Sequence, residues 1–445
     1  MRSSAVRMQL TRLGMLFFSA AILMPAALAS GLGSSGPQEH RARAARAFTD
    51  GILLVHSNSV ASDVDDSYRA TPAFYYLTGL ENTPGSMLAI DGRSGETWLF
   101  LESQSSGDVQ PGPAAERQLG ITHVVGWSDL GSFLSHELAS RAVIYVEPGR
   151  STLPDDPGVS PARHLPDWVQ VLRSKWPGAE FRSAGKMLDS LMVVEDGPGQ
   201  RASRAAASAT VAAFLAGARA IHPNARQRQV EVAVVEGCWK AGAHGVSFWP
   251  WAMGGANGVF PKPFESSERY DHLDAPLRAG DLVRLDVGCE WEHYQGDFGR
   301  TIPVSGRYTA EQRELWNIYV DAYQKVASQI RDGLTEDQAF ELWRAELVRA
   351  GAGAHSALAR TAVARWSQRK NVPYWQIHAT NLGAAAIEGP LRAGMVIDFE
   401  PIASIDGQGY YLEDMFLVGK TRSEVLTRGV PYRAEDIEAF LATHR

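Results

Sequence analysis

Apolar runs of strand length alternate with stretches of helical apolar spacing over residues 51–190, and this alternation predicts a mixed α/β domain. Strands are predicted at 86–90, 97–101 and 143–146. The segment VVEDGPGQRAS at 193–203 then sets Gly and Pro between a strand end and an Ala-rich helix. Such a break in the pattern indicates a domain boundary.

The second half of the chain has longer helices and strand pairs. Helices are predicted at 202–220 and 226–241, and again at 310–329 and around 336–350. Strand-like runs are LVRLDVG (282–288), MVIDFEP (395–401) and YYLEDMFLV (410–418). Two hairpin-like strand pairs flanked by helix pairs have the architecture of an internal duplication, although no residue-level repeat accompanies it.

The last two strand-like runs carry a pair of acids at symmetric positions. Glu400 and Glu413 are equally distant from Asp406-Gly407, a dipeptide that favours a tight hairpin turn because both residues tolerate positive φ. That turn would make the two glutamates cross-strand neighbours on one face, with Cβ atoms about 4.5–5.5 Å apart.

A second acid pair, Asp286 and Asp297, has the same relation to Trp291-Glu292. These two central residues do not favour a tight turn, so a longer or bulged loop is expected there. Apolar neighbours flank both aspartates, which indicates that this strand pair is buried.

Four carboxylates on the inner faces of two hairpins would repel one another, and burying them is costly unless a cation neutralises them. Oxygen donors suit Mn, Mg or Ca, and Zn or Co where an imidazole joins them. Four acids exceed what one catalytic zinc normally uses, so the pattern favours a two-metal site. The alternative is that each acid is a surface charge or pairs with an arginine such as Arg300.

Composition narrows the classes of function and partner. The length of 445 residues is typical of two domains, and the formal charge of −7 gives no electrostatic reason to expect nucleic acid. Cys238 and Cys289 are too few for a disulfide framework, and both are expected to be small buried residues.

The N-terminus has the pattern of a secretory signal peptide. Three arginines among the first twelve residues precede an apolar run at 13–23, and Ala27-Leu28-Ala29 supplies a cleavage pattern after Ala29. The alternative, a membrane anchor, needs about 20 apolar residues. This run is shorter and is followed by Pro25. We therefore expect an exported protein, periplasmic or secreted, without stable membrane insertion after cleavage.

The motif LDxGxxxxxYxxDxxRT at 285–301, the later Glu400-Pro401 and the final Leu412-Glu413-Asp414 resemble the pita-bread metallopeptidases. This family includes methionine aminopeptidase, aminopeptidase P and prolidase. The segment FYYLTGLENTPGSMLAI (74–90) is similar to the N-terminal domain of aminopeptidase P. The resemblance implies an α/β (α+β) fold in which residues 30–195 form a mixed α/β domain and residues 196–445 a pita-bread domain, after the signal peptide predicted at residues 1–29.

The resemblance also implies roles for the acids. Asp286 would hold one metal ion, Asp297 and Glu413 would bridge two, and Glu400 would bind the second ion and move the catalytic proton. The cofactors would be two divalent ions, with Mn²⁺ expected and Co²⁺ or Zn²⁺ as alternatives.

The histidine region departs from the family pattern. Counted back from Glu388, the family's ligand histidine falls on Thr380 and a later histidine falls on Ile387, so only His378 offers an imidazole. Either a local deletion has moved His378 into the ligand position, or His378 matches a different family histidine, which precedes the ligand in sequence and contacts the metal ligands rather than the metal. We expect His378 to be a metal ligand and, with Glu400, a catalytic residue.

The expected function is an exported hydrolase that removes the N-terminal residue of a peptide, an Xaa-Pro aminopeptidase. An Xaa-Pro dipeptidase and a non-catalytic binding protein that retains the fold stay open as alternatives. The partner is a peptide and not nucleic acid, and the sequence leaves a homo-oligomer open. Phe248, Trp249 and Trp251 would either line the substrate pocket or pack in the core, and Arg300 would either orient Asp297 or lie at the surface.

Overall fold

The structure, a computed structural model, describes residues 35–58, 68–102, 109–139, 143–147, 167–382 and 387–444. The predicted signal segment 1–29 lies outside these ranges. Helices α1 to α13 are, in chain order, Ser35–Ala47, Pro72–Thr78, Pro113–Leu119, Leu130–Ala139, Asp167–Lys175, Gly185–Met192, Gly197–Ala220, Gln227–Lys240, Lys262–Ser267, Ala310–Ala327, Glu336–Gly351, Ala357–Trp366 and Ala434–His444. Strands β1 to β16 are Gly51–His56, Met87–Asp91, Thr97–Leu101, His123–Gly126, Val143–Val146, Glu180–Ser183, Gly245–Val246, Trp251–Gly254, Leu282–Val287, Cys289–Trp291, Tyr294–Gln295, Phe298–Pro303, Tyr374–Ala379, Val396–Ile405, Gln408–Leu417 and Glu424–Val425.

The N-terminal part is built on a six-stranded sheet with strand order β4-β3-β2-β1-β5-β6. Strands β1, β2 and β3 pair antiparallel. Strand β4 pairs in parallel with β3, β5 with β1, and β6 with β5, so the sheet is mixed. Leu53 and Val55 pack in one apolar cluster and Ile52 and Leu54 in another, because successive residues of β1 point to opposite faces. Both faces are therefore buried, as a mixed α/β domain requires.

The C-terminal part is built on a seven-stranded antiparallel sheet with the order β13-β14-β15-β12-β9-β8, where β16 pairs with β15. Leu285, Phe399 and Leu412 lie on the face that packs with residues of α7, α10 and α12. The alternating positions, which include the predicted acids, lie on the opposite face. This is the pita-bread arrangement, and the two-part α/β fold predicted from the sequence is confirmed.

Capping side chains determine where several helices begin, and the apolar pattern of the sequence does not reveal these caps. Helix α7 begins at Gly197, earlier than predicted, because the Asp196 side chain accepts from the Gly199 N–H at 3.0 Å and Pro198 fits the first turn. Thr309 and Thr335 cap α10 and α11 with a glutamine three residues further on. Among the described residues, no helix combines the length and the apolar character needed to cross a membrane.

The prediction for the two cysteines is half correct. Cys238 on α8 and Cys289 on β10 are both fully buried, but they form a disulfide with a Cα–Cα distance of 5.5 Å. The sequence reasoning treated them as simple small residues because two cysteines 51 residues apart give no sign of their contact in space. The bond ties α8 to β10, a strand of a separate three-stranded sheet with the order β11-β10-β7.

The hairpin that carries Glu400 and Glu413 has the predicted register. Asp406 and Gly407 form its turn with φ of 50° and 67°, and Phe399 pairs with Asp414. The two glutamates are therefore opposed across the hairpin on the same face.

The register of the other acid pair is different from the prediction. The turn is a tight one at Glu292-His293, with φ of 49° and 67°, rather than a longer loop around Trp291-Glu292. Asp286 consequently pairs with Gly299 instead of Asp297. The two aspartates are diagonal neighbours on one face, since Asp297 lies two residues before Gly299.

Candidate metal centre

Five carboxylates and one imidazole converge on the face of the seven-stranded sheet that the helices leave uncovered. Three overlapping groups each place their ligand atoms within 4.8 Å of one another. The groups are Asp286, Asp297 and Glu413; His378, Glu400 and Glu413; and Asp297, His378 and Asp398. Asp297, Glu413 and His378 each belong to two groups, so the arrangement can hold two neighbouring ions.

His378 lies at the centre of this cluster. Its Nε2 is 3.5 Å from Glu400 Oε1, 3.6 Å from Glu413 Oε1 and 4.0 Å from Asp297 Oδ2. Strand β13 brings it there because His378 pairs with Asp398 in the ladder between β13 and β14. Thr380, the position where the family pattern expects its ligand histidine, is buried beside it and carries only a hydroxyl.

Several oxygens of the cluster are buried and have no hydrogen-bond partner among the described residues. They are Asp297 Oδ1, Glu413 Oε1 and both carboxylate oxygens of Asp398. Buried polar atoms in folded proteins are nearly always satisfied, so unpaired carboxylate oxygens that face one another indicate a bound cation. The donor set therefore fits divalent metal ions, as the four predicted acids implied.

Burial and mutual repulsion make these carboxylates hard to ionise in the absence of a cation. Burial raises the pKa of Asp297 and of Asp398 well above the ordinary value, and Glu413 nearby adds to both shifts. Burial likewise raises the pKa of Glu413 itself, with Glu400 as the second cause. A bound cation would reverse this balance and release protons.

The His378 imidazole, unlike the carboxylates, favours its charged form in the absence of a metal. Burial lowers the pKa of His378, but its contacts with Glu400 and Glu413 outweigh burial and raise that pKa well above the ordinary value. In the absence of a metal, a charged His378 partly neutralises the acids. Metal binding would require its neutral form.

An arginine within the sheet holds the first aspartate. Arg284 is fully buried, and its Nη2 donates to Asp286 Oδ2 at 2.7 Å. The guanidinium lies 4.1 Å above the ring of Tyr411, whose hydroxyl donates to Glu413 Oε2. Arg284 and Tyr411 thus fix the carboxylates of Asp286 and Glu413. Gly299 lies between these two residues in the sheet, and it must be glycine because an added Cβ would meet the Tyr411 ring at 1.8 Å.

The cluster lies at the base of a cleft of about 330 Å³. Four aromatic side chains line it: Phe248, Trp251, Phe264 and Tyr374. Of the two alternatives for the aromatic segment, Phe248 and Trp251 therefore line the pocket. The rest of the lining is mainly polar and consists of Asp286, Asp297, Glu400, His378, Arg284, Ala379 and Gln376, which donates to Glu400.

The two roles considered for Arg300 are both wrong. Arg300 is fully buried and lies on the helix-covered face, where it donates to Asp414 Oδ1 at 2.9 Å. Asp297 directly precedes β12, three residues before Arg300, and its side chain lies with Asp286 and Glu413 on the opposite face.

Sequence reasoning missed Asp398 and Arg284 in the site. A signal for both exists: each lies two residues before a predicted ligand, Glu400 or Asp286, and residues two apart on a strand share a face. The same spacing shows why Arg284, rather than Arg300, is the arginine that pairs with a site aspartate.

A pita-bread sheet whose open face gathers acids and an imidazole under a cleft defines a metal-dependent hydrolase. Residues 201–420 match the metallopeptidase family M24, and residues 38–145 match the aminopeptidase P N-terminal domain. The chain belongs to the metallopeptidase family M24, in its aminopeptidase P branch.

Relatives align over most of the chain. The Xaa-Pro aminopeptidase of Haemophilus influenzae is 23% identical over 406 residues, covering 85% of this chain and 90% of the relative. The Xaa-Pro aminopeptidase of Escherichia coli is 24% identical over 419 residues, covering 86% and 91%. The structure of aminopeptidase P from E. coli with the inhibitor Pro-Leu has the same fold, with a TM-score of 0.73, 21% identity and coverage of 93% and 99%. The protein is therefore a metal-dependent aminopeptidase.

Proposed function

We propose that this aminopeptidase is an exported Xaa-Pro aminopeptidase that uses two divalent metal ions, Mn²⁺ in the first instance. The observation that carries the proposal is the set of unpaired carboxylate oxygens gathered around His378 at the base of an aromatic cleft. The relatives that align over most of the chain are named Xaa-Pro aminopeptidases, which supports the same substrate class.

The proposed ligands are those predicted from the sequence: Asp286, Asp297, His378, Glu400 and Glu413. When bound, the ions would lower the pKa of a water molecule and polarise the scissile carbonyl. One imidazole among several carboxylates makes an oxygen-rich site, and such donors suit Mn²⁺.

Glu400 is the proposed proton carrier. Its carboxylate lies 3.5 Å from His378 Nε2 and accepts from Gln376, so two neighbours fix its position at the floor of the cleft. A carboxylate held there can take a proton from the attacking water and deliver it to the departing amine.

The aromatic wall suits a proline side chain. Trp251 and Phe264 meet edge to face with ring centroids 5.0 Å apart, and Phe264 lies 4.7 Å from Tyr374. Such rings offer a flat apolar surface on which a pyrrolidine ring packs, and they exclude water from the reacting carbonyl.

Metal removal and substrate choice test this function together. We expect the chelated protein to lose peptide hydrolysis and to regain it with Mn²⁺. An Xaa-Pro-Yaa tripeptide should be cleaved in preference to an Xaa-Ala-Yaa control, measured by release of the N-terminal residue. Cleavage of Xaa-Pro dipeptides alone would favour the dipeptidase alternative, and bound metal without hydrolysis of varied peptides would favour a binding protein.

Export is supported by the signal-like N-terminus and by the Cys238–Cys289 disulfide, since such bonds persist mainly outside the reducing cytosol. We expect the protein isolated from the extracytoplasmic fraction of its own cells to begin at Ser30, as measured by intact mass and N-terminal sequencing. A cytosolic protein that retains residues 1–29 would contradict export.

A further inference from the structure

We propose that Asp398 is an additional ligand of the ion beside His378, and this inference rests on the proposed metal-dependent function. Asp398 belongs to the group formed with Asp297 and His378, whose ligand atoms lie within 4.8 Å of one another. The resemblance to known metallopeptidases did not assign this residue a role.

Both carboxylate oxygens of Asp398 are buried, and no residue in the described part of the chain makes a hydrogen bond to them. The Thr380 side chain lies nearby, but it makes no hydrogen bond of normal geometry with either oxygen. Protonation would not solve the problem, because a neutral carboxyl group also needs partners when it is buried. A cation between Asp398 and its neighbours would satisfy both oxygens.

Asp414 on the neighbouring strand shows what a structural buried carboxylate looks like in this protein. It is as fully buried as Asp398 but lies on the other face of the sheet. Its Oδ1 accepts from Arg300 and Thr427, and its Oδ2 accepts from Tyr323 and Tyr432, all at 2.9–3.0 Å. Four protein donors therefore satisfy a buried acid that serves the fold, whereas none of the residues that the structure describes donates to Asp398.

Charge supports the same assignment. Asp398 brings the carboxylates of the cluster to five, and among the described residues Arg284 is the guanidinium that offsets one of them. The four charges that remain equal those of two divalent cations when His378 is neutral. A fifth acid in a buried site would be strongly destabilising without that compensation.

The position of Asp398 also accounts for the missing histidine. His378 and Asp398 are paired across β13 and β14, and each has a ligand atom within 4.8 Å of one on Asp297. Where the family pattern expects an imidazole, this chain has Thr380, and the carboxylate of Asp398 offers the replacement donor. A carboxylate there makes the site harder in character, which strengthens the preference for Mn²⁺ over Zn²⁺.

The test is Mn²⁺ binding to the metal-free full chain, measured by calorimetry and by metal content per chain. We expect the wild type to bind two ions and Asp398→Asn to bind one of them at least about 10-fold more weakly, because a ligand costs at least as much as an outer-shell partner. The Mn²⁺ spectrum in electron paramagnetic resonance should change from that of a coupled pair to that of an isolated ion. Asp398→Ser should behave in the same way.

Glu195→Gln is the matched control. Glu195 is also a buried acid, but Ser203 donates to it at 2.8 Å and it lies outside the cluster. Its substitution should leave both ions in place. Thermal melting of the metal-free proteins provides the second readout: Asp398→Asn should melt no lower than the wild type but should gain less from Mn²⁺, whereas a structural role for Asp398 predicts a lower melting temperature with an unchanged gain.

The outcomes separate this inference from the proposed function. Two ions bound equally well by the wild type and by both Asp398 variants would overturn the role of Asp398 and leave the metal-dependent function standing. A wild-type chain that binds no Mn²⁺, Co²⁺ or Zn²⁺ would overturn the metal centre itself and this inference with it.

Discussion

Glu400→Gln is expected to lower kcat for an Xaa-Pro peptide by about 10²–10⁴-fold, the range that a positioned acid–base group contributes. The amide keeps the size of the side chain and can still meet Gln376, but it cannot take a proton from water and return it to the amine. The rate should be measured at saturating Mn²⁺, because Glu400 is also a proposed ligand and its loss can weaken metal binding.

Asp406→Asn provides the matched control for Glu400→Gln. Asp406 lies on the same hairpin but is exposed at its turn, and Asn-Gly favours the same turn as Asp-Gly. This variant should retain wild-type kcat. Wild-type activity in Glu400→Gln, with metal content confirmed, would remove the proton-carrying role from Glu400.

The half of the site on β14 and β15 could be predicted from the sequence because local chemistry sets its register. Asp406-Gly407 adopts a tight turn in which both residues have positive φ, and the glutamates follow from counting outward in steps of two. The other hairpin carries Glu292 and His293 at those positions, and neither residue signals such a turn. The predicted centre was therefore one residue early, which changed the direct partner of Asp286 but not the face on which it lies.

Contacts between distant parts of the chain limited the prediction in a different way. His378 reaches the acids because β13 pairs with β14, and the Cys238–Cys289 bond depends on α8 packing over β10. Neither pairing leaves a local trace in the sequence. Asp398 lies beside Glu400 by the period of the strand, but it matches no position of the family motif from which the ligands were predicted.

Arg300→Met is expected to cause the largest loss of stability, about 3–5 kcal/mol in the free energy of unfolding, the cost of breaking a buried ion pair by removing one partner. Arg300 is fully buried, donates to Asp414 Oδ1 at 2.9 Å and to the Glu413 backbone carbonyl at 2.6 Å, and lies 4.7 Å from the Tyr432 ring. Methionine fills much of the same space but leaves the Asp414 carboxylate without its counter-charge. Denaturant unfolding followed by fluorescence measures the change.

Two further variants provide smaller stability losses with which the loss in Arg300→Met can be compared. Tyr432→Phe removes one of the four donors to Asp414 and should cost about 1 kcal/mol, the net value of a typical hydrogen bond. Arg313→Met removes a half-exposed arginine that pairs with Glu438 on the surface, so it should cost at most about 1 kcal/mol. If Arg300→Met were no less stable than Arg313→Met, the network around Asp414 would not hold β12 against β15. The position of Glu413 between the two proposed ions would then have to be fixed from the open face alone, by Tyr411 and by the ions.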